Sequence, residues 1–461
     1  MEGLAWAWQA RFQRVEVPEV RINSQAAPSS ATDRDLFLLV IGESSAVGSP
    51  FDPQISIGQL VAWQLERIFP GRRVFVDTRA VGGICLDDAV QTLSKPWRKP
   101  DAVLLYSGHN EFHARYELMR EVPYYQDEFR IRENATRWLR RVSPLSDLIL
   151  ETLDDQLVDR PPAASGGRRN LVDSPAYTSD ERARRLTVYQ AGLKAFYGYC
   201  ERAGALPILF VPASNDGGFE PNRSVLQPST PLEGRQAFAR AFQEARALEE
   251  TDPQQSVARY RALLDDQPGF AETHFRLGRL LVKSAAFDEA NDHFRLARDL
   301  DQFSIRCPGD FREACRLEAS RHDGILIDAE AILRPLSPHG IMDEHLFFDA
   351  HHPNLDGYLA LAEETLRQLH RRRAFGWPEN APTPSSTTAE VASSFELGAS
   401  RWVDVCRWVA HWYESVSTIR FDPSDRQNWN KRYSEAARAI ADGLPPERAG
   451  CPGIGIEPPA R

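Results

Sequence analysis

Four short stretches carry the residues that could do chemistry: IGESSAVG at 41–48, AVGG at 80–83, GHNE at 108–111 and DAHHP at 349–353. A serine hydroxyl is a poor nucleophile at its free pKa. It needs an adjacent base, and the base needs a third group to fix its tautomer. His352, with Asp349 three residues before it, can give Ser44 both. If Ser44 attacks a carbonyl, negative charge develops on the former carbonyl oxygen, where the Ser44 N–H, the Gly83 N–H and the Asn110 amide could meet it. Loss of one such donor costs about 3–4 kcal/mol in the rate step.

Each of these residues also has a plain structural role open to it. Ser44 could cap a helix, Asp349 a turn, and Asn110 could be an ordinary turn residue. Ser45 is expected to cap or pack. His351 is a rival base that falls one short of the Asp-x-x-His spacing, and His345 is expected to be structural. His109, Glu111 and Asn215 are candidates for touching substrate; His113 in EFHARY and Asp216 beside Asn215 follow them. For Asn215 and Asp216 the alternative is an Asx-turn ahead of Gly217-Gly218. GESSAVG lacks the lysine and full glycine pattern of a phosphate loop. Asp349, His351 and His352 lie close together, but no His-x-x-x-His or convergent cysteine set completes a metal site.

These residues must be positioned by strands. The apolar run at 36–41, RVFVD at 73–77, AVLLY at 102–106 and LPILFV at 206–211 read as buried strands, and GILIDAE at 324–330 as another. Helical periodicity at 57–69 and 183–203 separates them, which predicts a mainly parallel α/β sheet. Ligands bind such sheets outside the carboxyl ends of the strands, where GESS, GG, GHNE and SND all fall. From 230 to 320 the pattern is helical without strands. Leu277, Gly278, Leu281, Ala290, Phe294 and Ala297 stand at the offsets of a tetratricopeptide helix pair, with His274 where an aromatic is commonly expected. One and a half repeats cannot form a stable solenoid alone, which predicts an insertion packed on the α/β body.

Taken together in this order, GES, AVGG, GHNE and DAHHP resemble the SGNH (GDSL-like) hydrolase family, in a branch carrying tetratricopeptide-like segments. The resemblance spans roughly 35–370. It implies a three-layer, flavodoxin-like core with a mainly parallel sheet, Ser44 as nucleophile, Gly83 and Asn110 as oxyanion donors, His352 as base and Asp349 as its carboxylate. The chain departs from the usual pattern in having Glu43 before the serine and Glu111 after Asn110, both expected to reshape the pocket edge. Ile84-Cys85 follow the glycines where a small polar pair is common, so Gly82 stays an alternative to Gly83. The order Ser, Asp, His is shared with α/β-hydrolases, but those use a G-x-S-x-G elbow that is absent here.

The expected organisation is an N-terminal extension at 1–34, core at 35–229, helical insertion at 230–320, core completion at 321–376, a flexible Pro/Ser/Thr-rich linker at 377–395, and C-terminal helices with a loose tail at 396–461. The C-terminal piece offers aromatic side chains for packing and no evident chemistry. Net charge of −10 without long charged blocks argues against nucleic acid or anionic lipid as partner. The expected partners are a small-molecule or acylated substrate and a protein bound through the insertion, with no cofactor and no metal. Six dispersed cysteines read as buried thiols. MEGLAWAWQARFQR is too short an apolar run for a membrane span, and the expected location is cytoplasmic, although relatives of this branch can carry an anchor or export segment. The expected activity is ester hydrolysis through an acyl-Ser44 intermediate. An acyltransferase shares the first half-reaction, and a non-catalytic binding protein using the repeats is the alternative from another class.

Overall fold

The computed structural model describes residues 35–94, 98–112, 171–172, 176–417 and 419–455. The N-terminal extension at 1–34 and His113 lie outside them. All described residues belong to one unit, spanning 23–114 and 170–461.

Strand β1 (Leu36–Gly42) is apolar throughout and buried at every position. So is β3 (Ala102–Tyr106). Strands buried on both faces read as continuous apolar runs and need helices on either side. With β2 (Val74–Thr78), β4 (Leu206–Val211) and β5 (Ile325–Asp328), they form a parallel sheet in the order β2-β1-β3-β4-β5. Both pairings of β1 are parallel, Leu38 standing opposite Val76 on one side and opposite Ala102 on the other. The chain runs outward from β1 to β2 and then crosses to β3. The crevice at the carboxyl ends therefore opens between β1 and β3.

Between the strands lie α1 (Ser44–Val47), α2 (Ile57–Ile68), α3 (Leu86–Ala89) and α4 (Ser179–Ala203). Ser56 caps α2 by accepting the Gln59 N–H, and Thr178 with Glu181 forms a capping box on α4. Gly58 on α2 lies so close to Val40 and Val76 that a Cβ there would come within 2.5 Å of Val40.

The region after β4 is helical, as the sequence predicts: α5 (Leu232–Ala247), α6 (Pro253–Asp266), α7 (Ala271–Lys283) and α8 (Phe287–Asp299). Phe238, Phe242, Tyr260, Phe270, Phe275 and Phe294 fill their common core. Gly278 faces the Phe294 ring, where a Cβ would come within 2.8 Å. His274, standing at the position expected to be aromatic, bonds the facing His293 Nδ1 at 2.8 Å and the Pro268 carbonyl at 2.9 Å. The chain returns to the sheet through α9 (Gly309–Ala319), which packs on α4. After β5 come α10 (Ala329–Leu333) and α11 (Leu355–Arg371), the latter against α2.

Two expectations for the C-terminal part are corrected. Residues 377–395 are fastened rather than loose. Trp377 is buried beside Phe69, Ser386 accepts hydrogen bonds from Gln64 and Arg67, and α12 (Thr388–Ser394) carries its own capping box. The tail after 446, as far as residue 455, is also packed: Ile454 is buried and the Tyr433 hydroxyl donates to the Pro452 carbonyl. Proline and serine content signals irregular backbone, but isolated anchors such as Trp377 decide whether that backbone is held. The hairpin of α13 (Ala399–Ser417) and α14 (Ser424–Ala441) lies between them. All six cysteines are buried thiols. No helix among the described residues is long and apolar enough to cross a membrane.

Candidate active site

Gly42 ends β1 with φ +135°, and a Cβ there would lie 2.0 Å from the Tyr106 carbonyl oxygen. Only glycine lets the chain turn this close to β3. Two residues later, Ser44 Oγ stands 2.7 Å from His352 Nε2. His352 Nδ1 is 2.7 Å from Asp349 Oδ2. The other Asp349 oxygen accepts the N–H groups of His351 (2.9 Å) and His352 (3.0 Å). The same carboxylate thus caps its own turn and orients the imidazole, so two intervening residues suffice between acid and base.

Burial would push the Asp349 carboxyl up, but His352, by charge and hydrogen bond, and the backbone bond from His351 outweigh it and hold the group below the usual aspartate range. An ionised carboxylate only accepts. His352 therefore carries its proton on Nδ1, and its Nε2 lone pair faces the Ser44 hydroxyl.

Asn110 is anchored at both ends of its backbone. Its N–H donates to Glu43 Oε2 at 3.1 Å, and its carbonyl accepts from Cys85 Sγ at 3.3 Å. Its side-chain Nδ2 is buried and has no acceptor among the described residues. A buried donor without an acceptor costs about 1–3 kcal/mol, an expense that marks a place where a ligand atom completes the bond. Gly82 lies against Ser44, with room for a Cβ 3.7 Å from the serine Cβ, and Gly83 has φ +79°. The Gly82–Gly83 peptide, whose N–H belongs to Gly83, therefore adjoins Ser44. Replacing Asn110 by alanine is expected to lower kcat by about 10²–10³ while KM changes little, measured with a small activated ester.

Other sequence candidates are placed differently. Glu111 is fully buried, with Oε1 accepting the Leu86 N–H at 2.7 Å and Oε2 paired to Arg185 at 2.6 Å. It braces the loop behind Gly83, with both carboxylate oxygens engaged. His109 is fully buried and its Nδ1 accepts the Cys307 N–H at 3.1 Å; its ring stacks on His351 at 4.5 Å. Burial first, then the neighbouring His351, Arg312 and His352, push its pKa well down, so it is neutral. Asn215 caps the turn at 215–218, its Oδ1 accepting the Gly218 N–H at 2.6 Å, and its own N–H donates to the Ala350 carbonyl at 2.9 Å. Asp216 is buried in an ion pair with Arg298 at 2.7 Å. The Ser45 hydroxyl points at the His351 carbonyl at 3.5 Å, and His345 is exposed beside Asp343.

The sequence reading missed Trp408 and Trp412 on α13. Trp408 meets the His352 ring edge-on at 4.8 Å, and Trp412 stands 6.1 Å from His352 and 5.9 Å from His351. Their spacing of four residues puts both on one helix face, but nothing local says what that face covers. Asp349, His351 and His352 are near enough for a shared metal ion, as are Cys85, Asp87 and Glu111. In both groups the key donors are already engaged, His352 with Asp349 and Ser44, and Glu111 with Leu86 and Arg185.

No family model matches the chain, and no curated protein matches it. Among solved structures, an acetylxylan esterase from Geobacillus stearothermophilus aligns at 14% identity over 72% of this chain and 94% of that one, with a TM-score of 0.35. A chain described as a GDSL-like lipase from Parabacteroides merdae aligns at 10% identity over 75% and 97%, with a TM-score of 0.32.

Proposed function

We propose that this chain is a serine-dependent acyl hydrolase of the SGNH (GDSL-like) type, acting on a carboxylic ester through an acyl-Ser44 intermediate. The observation that carries the proposal is the hydrogen-bonded chain Asp349, His352, Ser44, with 2.7 Å at each link. The buried Asn110 Nδ2, without an acceptor among the described residues, and the flavodoxin-like strand order support the same reading. On this reading 35–229 and 321–376 form the catalytic core and 230–320 is a tetratricopeptide-like insertion.

Ser44 Oγ attacks the ester carbonyl as His352 Nε2 takes its proton. The resulting oxyanion is met by Asn110 Nδ2 and by the N–H groups of Ser44 and Gly83. His352 then passes the proton to the departing alkoxide, leaving acyl-Ser44. Water follows the reverse course: it gives a proton to His352, attacks the acyl carbon, and Ser44 leaves with that proton.

An acyltransferase differs only in the second half, where an alcohol replaces water. Trp408 and Trp412 beside His352 favour giving this reading a test, because an apolar wall at the base disfavours water. Incubation with a fluorophosphonate, followed by peptide mass mapping, is expected to label Ser44 in the wild type and to leave Ser44→Ala and His352→Ala unlabelled. A folded wild type that takes no label, or label that persists in Ser44→Ala, would sink the nucleophile assignment. Turnover of a short ester with and without an added alcohol separates transfer from hydrolysis by product.

A further inference from the structure

We infer that Glu43 is a positioning residue, whose carboxylate holds the loop after β3 so that the Asn110 amide stands where the oxyanion forms. The inference rests on Ser44 being the nucleophile of an acyl transfer. Glu43 sits directly before that serine, and its backbone N–H bonds the Tyr106 carbonyl at 3.2 Å. Its side chain is fully buried and turns toward the neighbouring loop. There Oε1 accepts the N–H groups of Gly108 (3.1 Å) and His109 (2.9 Å), and Oε2 that of Asn110 (3.1 Å). Three successive amides converge on one carboxylate, and Gly108 among them has φ +144°, a conformation that favours glycine. The expectation that Glu43 reshapes the pocket edge is thereby corrected: it ties the nucleophile's turn to the oxyanion donor's turn.

What distinguishes a catalytic purpose from plain bracing is the leftover donor. Both backbone groups of Asn110 are tied, the N–H to Glu43 and the carbonyl to Cys85, while its Nδ2 is buried without an acceptor among the described residues. A loop fastened so firmly, yet with its one side-chain amide unsatisfied, is preorganised for a bond made only when negative charge arrives. The arrangement also carries a cost. Burial, with Glu111 nearby, raises the Glu43 pKa to about 8 even though the three amide bonds pull it down. The titratable groups facing it are Glu111 on the same loop, Tyr106 at the end of β3, and Cys307 ahead of α9. Ionisation strengthens the three amide bonds, so the rate is expected to rise with pH as Glu43 loses its proton.

The test measures kcat and KM for p-nitrophenyl acetate in full-length wild type, Glu43→Gln, Glu43→Asp, Asn110→Ala, the Glu43→Gln/Asn110→Ala double variant and Ser44→Ala. Measured at pH 9, where Glu43 is ionised, Glu43→Gln is expected to lower kcat by roughly 10–100-fold with KM within about twofold, short of the loss for removing the donor itself. In the Asn110→Ala background the same change should cost less than about threefold, because its effect passes through that side chain. Glu43→Asp, which keeps the charge, should recover part of kcat, and the rise in rate near pH 8 should vanish in Glu43→Gln. Equal losses in both backgrounds, or an unchanged kcat in Glu43→Gln, would overturn the role given to Glu43. If Glu43→Gln does not fold, the cycle is run with Glu43→Asp, and hydrogen exchange of the peptide spanning 107–112 must quicken in that variant for the inference to stand. Wild-type turnover that Ser44→Ala leaves intact would instead overturn the acyl-transfer reading, and this inference with it.

Discussion

His352→Ala should lose kcat for ester turnover by about 10⁵–10⁶-fold, and the Ser44→Ala/His352→Ala double variant should be no slower than either single one. The reason is geometric. Ser44 Oγ, His352 Nε2 and Nδ1, and Asp349 Oδ2 form one hydrogen-bonded chain with two 2.7 Å links, so removing the nucleophile or the base leaves the other without a task. Asp349→Asn should be milder, about 10⁴-fold, because the base is still present but loses the acceptor that fixes its tautomer. Near-additive losses would mean that the residues act independently and that the proposed hydrogen-bonded chain is wrong. Folding must be checked by thermal melting, since the Asp349 oxygen that bonds two backbone N–H groups also holds the turn.

Glu272→Gln is expected to destabilise the fold by about 3–5 kcal/mol in denaturant titration, the largest stability effect among charged residues discussed here. Glu272 is buried and binds Arg420 through both oxygens at 2.8 Å, and Arg276 at 2.9 Å. Arg420 also reaches Glu220 at 3.1 Å. Removing the carboxylate charge leaves two guanidinium groups in the interior short of a counterion. By contrast, Glu244→Gln, in an exposed pair with Arg259, should cost less than about 1 kcal/mol. Burial would raise the Glu272 pKa, but the two arginines hold it down at about 2. A group whose folded pKa is depressed stabilises fully above its unfolded value, near 4.5, and loses that contribution as pH falls toward 2. The wild type should therefore lose stability across that acid window more steeply than Glu272→Gln. The consequence reaches the site, because Arg420 joins the helical region to the connection between α13 and α14, the hairpin that carries Trp408 and Trp412.

The sequence by itself determined the elements and the named reactive groups. Continuous apolar runs can only be buried strands, helical periodicity between them demands parallel crossovers, and loops at strand ends place Ser44, the glycine pair and Asn110 on one rim. The spacing of Asp349 and His352 was legible because that contact closes within a single turn. Relations spanning hundreds of residues were not. Glu111 and His109 read as candidates for touching substrate and Glu43 as reshaping the pocket edge; their bonds to the amides of 108–110, Leu86, Arg185 and Cys307 could not be read from the sequence. Trp408 and Trp412 read as packing residues because helical spacing defines a face without naming what it meets. Only the tertiary structure put that face against His352, on a helix held by Arg401 at the Phe51 and Asp52 carbonyls and by Trp402 against Phe51, contacts with no local pattern to announce them. Local sequence encodes periodicity and short turns, whereas the partner of a buried charge or ring is settled by how distant elements pack.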